Sequence, residues 1–141
     1  MIGTVSRGIV AGALLASAGV LGVAGPAAAA ESCGAHKNAR VSIYYWACAT
    51  GSAQDAMDVT YHFQNNHGSR VSITYQVGPS IAGGSVDWGS ARTVPINTGN
   101  ASYENWAFGC TKGKGVRAAI RVKENNGSWG AIAYSGSITC K

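Results

Sequence analysis

The chain has 141 residues, a formal net charge of +5 and only 12% charged side chains. Once an expected export signal is set aside, roughly 110 residues remain, enough for one domain that buries about 60 to 68% of the surface its unfolded chain exposes. No repeat, heptad or second domain is visible, and no apolar run beyond the signal is long enough to span a membrane, so the mature chain is expected to have no transmembrane segment.

Residues 1–30 have the pattern of a signal peptide. Arg7 heads the segment, an apolar stretch from Ile9 to Val23 follows, and Ala28-Ala29-Ala30 supplies the small side chains a signal peptidase requires. The mature protein is expected to start at Glu31 as a single secreted, extracellular β domain over 31–141. Cys33, Cys48, Cys110 and Cys140 all lie beyond the cleavage point. In an oxidising compartment they read as two disulfides rather than metal ligands or nucleophiles.

The mature chain contains no leucine, since Leu14, Leu15 and Leu21 all sit in the signal. Its apolar residues are Val, Ile, Tyr, Trp and Phe, which suit a pleated, half-buried surface. The first strand is expected over Val41 to Ala47. It carries Tyr44, Tyr45 and Trp46 in succession, and alternation cannot bury all three on one face. Gln54 to Met57 is at most a helical turn. From Met57 the run Met57, Val59, Tyr61, Phe63 alternates with Asp58, Thr60, His62, Gln64. The next run sets Val71, Ile73, Tyr75, Val77 against Arg70, Ser72, Thr74, Gln76, and Asn65-Asn66-His67-Gly68 reads as the hairpin loop between them.

A glycine-rich loop from Gly83 to Gly89 presents Trp88 where little else can bury an indole. Further strands are expected at Arg92 to Ile96, which Pro95 marks as an edge, and at Tyr103 to Gly109. In the C-terminal hairpin, Val116, Ala118, Ile120, Val122 alternate with Arg117, Ala119, Arg121, Lys123. Asn125-Asn126-Gly127 then turns the chain into Trp129 to Tyr134, and Ser137 to Cys140 closes it. Short strands at regular intervals imply an all-β fold, a small antiparallel sandwich or barrel of about six to eight strands.

Four cysteines allow three connectivities. Pairing of neighbours, Cys33 with Cys48 and Cys110 with Cys140, is expected. In a flat meander, however, strands two apart lie about 9.5 Å from each other, beyond the roughly 7 Å Cα limit of a bridge. The second bridge therefore requires Cys110 or Cys140 to lie past a strand end, or the sheet to close on itself.

Positive charge is concentrated near the C-terminus, where Lys112, Lys114, Arg117, Arg121, Lys123 and Lys141 face Glu124 alone. Arg117, Arg121 and Lys123 project from one strand face. That stripe is either a solvated edge-protecting surface or a dock for an anionic partner: an acidic protein, a cell-wall polymer or a lipid surface. Nucleic acid is disfavoured, because no recognition helix, RNP-like run or zinc-finger spacing accompanies the charge. The aromatic candidates for binding are Trp88, Tyr44 and Trp46, with Trp129 as a further stacking platform.

Catalytic signatures are weak. Cys33-Gly34-Ala35-His36 has a C-x-x-H spacing without a second pair, so neither a metal nor another cofactor is expected. His62 shares a face with Asp58, and no nucleophile motif accompanies them. In format the chain is similar to small exported β proteins of actinomycetes, the tendamistat-type amylase inhibitors and the neocarzinostatin-type apoproteins, which also combine an alanine-rich signal with two disulfides. The Trp-Arg-Tyr triplet of those inhibitors is absent here, the nearest cluster being Tyr44-Tyr45-Trp46, and no site residue is carried over. The expected function is a secreted, non-catalytic binding protein acting on an extracellular protein partner, as an inhibitor or a small subunit or adaptor of an assembly. The alternatives are a carbohydrate or cell-wall binding module and a small secreted hydrolase or toxin.

Overall fold

The computed structural model describes residues 31–40, 42–51, 56–125 and 127–141, without the side chains of 104–106. The expected signal at 1–30 lies outside the described residues, as do Val41, Gln54, Asp55 and Asn126. No helix is present among the described residues, and none is therefore long and apolar enough to cross a membrane.

Among the described residues, ten strands form two antiparallel sheets. The first sheet holds β1 (Ser32–Cys33), β2 (Lys37–Arg40), β3 (Ile43–Gly51), β4 (Ala56–Asn65) and β7 (Gly99–Gly109). Its order is β1-β3-β4-β7, with β2 also pairing β3. The second holds β5 (Val71–Ile81), β6 (Arg92–Ile96), β8 (Gly115–Glu124), β9 (Ala133–Tyr134) and β10 (Ile138–Thr139). Its order is β10-β8-β5-β6, with β9 also pairing β8. β3 to β10 correspond to the expected strands, and β1 and β2, which pair with β3, are additional to them.

Alternation builds the core. Ile43, Tyr45 and Ala47 of β3 and Met57, Val59, Tyr61 and Phe63 of β4 turn inward from the first sheet. They meet Ile73, Tyr75 and Val77 of β5 and Val116, Ala118, Ile120 and Val122 of β8. With no leucine among residues 31–141, β-branched and aromatic side chains fill the space between the sheets, and the Phe63 ring packs 5.5 Å from Tyr75 and 5.6 Å from Tyr103. Tyr45 is fully buried and its hydroxyl donates to the Ala131 carbonyl.

Three expectations are corrected. β4 and β5 are not a hairpin: β4 pairs β3 and β7, β5 pairs β6 and β8, and residues 66–70 carry the chain from one sheet to the other. Asn65 makes that crossing. Its buried amide donates to the carbonyls of Ser69 and Ile96, both at 3.0 Å, and its Oδ1 accepts from the His67 N–H at 2.8 Å. Ala56 and Met57 belong to β4 rather than to a helical turn. The return limb of the C-terminal hairpin is a ladder only at Ala133–Tyr134, and 128–132 runs irregularly beside β8.

Both expected disulfides are present. Cys33 and Cys48 are direct partners in the β1–β3 ladder, with Cα atoms 3.9 Å apart. Cys110 lies just past β7 and Cys140 just past β10, with Cα atoms 6.0 Å apart. Since β7 and β10 belong to different sheets, this second bridge ties the sheets together past their strand ends, and the spacing limit of a flat meander does not arise.

Candidate functional site

The outer face of the second sheet gathers most of the candidate binding residues. Gln76 on β5 and Arg121 on β8 are direct register partners, so their side chains rise side by side. Arg121 donates from Nε at 3.0 Å and from Nη2 at 2.7 Å to the single Gln76 oxygen, and the Gln76 amide donates to the Gly89 carbonyl at 3.0 Å. The guanidinium carbon lies 4.5 Å from the Trp88 ring centroid and 4.7 Å from that of Trp129. Lys123 brings its ammonium 4.9 Å from the Trp129 ring, and Arg117 stands 4.3 Å from the Tyr134 ring. Each cation of the stripe thus has an aromatic partner, an arrangement worth about 0.5 to 2 kcal/mol per contact according to its desolvation.

Two backbone features deliver the indoles. Residues 86–89 fold back along β5 beyond the end of β6. Ser80 bridges Val86, the Asp87 N–H donates to the Pro79 carbonyl at 3.0 Å, and the Gly89 N–H donates to the Val77 carbonyl at 2.9 Å. That approach requires Gly78, where a Cβ would overlap the Asp87 carbonyl oxygen. On the other flank, the Gly130 N–H donates to the Val122 carbonyl at 2.8 Å, and the Tyr45 hydroxyl holds Ala131 from the core. Trp129 is therefore tethered to both sheets.

Arg117, Arg121, Lys123, Trp88 and Trp129 are all half-buried, so the stripe is not the fully solvated face expected from alternation alone. Lys112 and Lys114 are exposed in the turn before β8. Trp88 also helps wall an open groove of about 390 Å³, with Val77, Pro79, Phe108 and Arg92 among its other lining residues.

Tyr44 and Trp46 lie elsewhere, half-buried on the outer face of the first sheet, while Tyr45 between them points into the core. His36, just before β2, Trp46 on β3 and His62 on β4 form a row. The His36 and Trp46 rings stack at 4.0 Å and 15°, and those of Trp46 and His62 at 5.0 Å and 8°. His62 Nδ1 lies 2.8 Å from the Ser102 hydroxyl. A hydroxyl beside an imidazole is the first requirement of a nucleophile and base pair, and a third group must orient the base. Here the second nitrogen, Nε2, is buried without a hydrogen bond among the described residues. Cys33 is committed to Cys48, so the C-x-x-H spacing supplies no thiolate.

Gln76 and Tyr134 were not legible as site residues. The period of two places Gln76 on the outer face, but only the β5–β8 register sets it against Arg121. Comparison of the chain with protein-family models, characterised proteins and solved structures returns no match.

Proposed function

We propose that this protein is an exported, non-catalytic binding protein that docks an extracellular protein partner through the outer face of its second sheet, as an inhibitor or a small subunit of an assembly. The observation carrying this reading is the fixation of Arg121 by Gln76 between Trp88 and Trp129. Trp, Tyr and Arg dominate the energetics of protein interfaces, and this face presents all three. Their rotamers are already restrained, which lowers the ordering cost of about 0.5 to 1.5 kcal/mol per immobilised side chain on binding. The signal-like pattern of residues 1–30 and the two disulfides support export.

Carbohydrate stacking has less behind it. Trp46 has an imidazole stacked on each side, His36 from just before β2 and His62 from β4, and the faces of Trp88 and Trp129 are engaged by cations. The reading is tested by affinity capture from culture supernatant with the mature protein. A stoichiometric protein partner is expected for the wild type and is lost with Arg117→Gln/Arg121→Gln/Lys123→Gln. No partner, or equal capture by the triple variant at low salt, overturns it.

A further inference from the structure

We infer that the groove beside Trp88 and the basic face form one bipartite site, which recognises an acidic, extended protein segment carrying an aromatic anchor residue. The inference rests on the reading of this face as a protein dock and specifies the partner's chemistry. One indole joins the two halves: Trp88 walls the groove of about 390 Å³ and also meets Arg121.

The groove has the character of an anchor pocket. Val77, Pro79, Trp88 and Phe108 make its apolar walls, and its volume suits one aromatic side chain with room for adjoining backbone. Arg92 stands at its rim, exposed. Beyond Trp88 come Arg121 and then Lys123, two positions on along the same strand face and so about 7 Å apart. Asp87, exposed, also lines the groove, so across the two halves the cations Arg92, Arg121 and Lys123 outnumber that one carboxylate among the described residues.

Charge complementarity therefore selects a partner segment with carboxylates, and the groove selects a ring. An extended chain advances about 3.3 Å per residue, which puts carboxylates about two to four residues from the anchor within reach of Arg121 and Lys123. Buried apolar anchors surrounded by weaker polar contacts are the common energetic layout of such interfaces.

Selection from a random-peptide display library against the folded, disulfide-bonded protein tests this. Enriched sequences are expected to carry an aromatic residue with Asp or Glu a few positions away. A synthetic peptide of that consensus should lose about tenfold or more in affinity when its ring is replaced by Ser. Ser90→Trp, which fills the groove from an exposed lining position, should abolish the preference for the ring and leave the acidic preference. Arg92→Glu provides an independent variant at the rim and should weaken acidic peptides. Enrichment without rings, enrichment without acids, or no enrichment overturns the inference, as does undiminished binding to both variants. Phosphatidylglycerol vesicles that bind the wild type and Ser90→Trp equally, in place of any peptide, also overturn it. If the natural partner is still lost with the triple-Gln variant, the protein-docking reading stands even where the anchor fails.

Discussion

The side-chain oxygen of Gln76 accepts both hydrogen bonds that Arg121 directs across the β5–β8 ladder, at 3.0 and 2.7 Å. A long, flexible cation is thereby held in one orientation between two indoles. Gln76→Ala leaves the charge in place and releases its orientation. Partner affinity is expected to fall by about 0.5 to 1.5 kcal/mol, the ordering cost of one side chain. Calorimetric titration alongside urea unfolding separates this from a stability effect, since a half-exposed pair contributes little to folding. Unchanged affinity counts against pre-organisation.

Gly78 is the steric condition for Trp88. Gly78→Ala forces the backbone of residues 86–89 away from β5, because the added methyl meets the Asp87 carbonyl rather than a movable side chain. Overpacking of this kind costs about 1 to 3 kcal/mol. Urea unfolding should show the loss and tryptophan fluorescence a changed environment at Trp88. A variant as stable as wild type with the same spectrum refutes the fold-back geometry.

Burial pushes the Tyr45 hydroxyl up to about 12 from its ordinary 10.0. Below about pH 10 the phenol is neutral in both folded and unfolded chains, and its contribution is fully present. As pH rises from about 10 to about 12 the unfolded chain ionises first, and stability falls by about 2 to 3 kcal/mol. Tyr45→Phe should remove that alkaline component. At neutral pH the same variant should lose about 1 kcal/mol with the hydrogen bond to Ala131. Equal alkaline slopes for both proteins would exclude Tyr45 as the source.

The two disulfides differ in what they join. Sequence separations of 15 and 30 residues imply, in the chain-entropy model, about 3 kcal/mol for Cys33–Cys48 and about 3.7 kcal/mol for Cys110–Cys140. Paired Cys→Ala variants compared by urea unfolding should show the larger loss for the inter-sheet bridge. The reverse order would indicate that the β1–β3 staple, not loop length, governs stability.

Tyr44 and Trp46 sit on the sheet opposite the basic face. Trp46→Ala breaks the stacked row with His36 and His62, and is expected to cost about 1 to 3 kcal/mol of stability. Partner affinity should stay within about twofold of wild type. A loss of affinity matching that of Trp88→Ala would move the docking surface to the first sheet.

The primary structure determined the strands, because a period of two is a local property: Met57 to Phe63, Ile73 to Val77 and Val116 to Val122 announce which side of each strand is apolar wherever the strand is placed. It also determined that Arg117, Arg121 and Lys123 share a face. Sheet membership was a tertiary decision. Asn65-Asn66-His67-Gly68 has the composition of a hairpin loop, yet the buried Asn65 amide bonds to Ser69 and to Ile96, which is far away in sequence. The chain consequently crosses between sheets, and Cys110–Cys140 becomes a bridge between them. The meeting of Trp88, Gln76, Arg121 and Trp129 was decided in the same way. These residues come from four segments, and their contact depends on the β5–β8 register, the approach of the Asp87 backbone over Gly78 and the Tyr45 tether. Local alternation carries a residue's facing but not its neighbour, and neighbours across strands are set by long-range pairing alone.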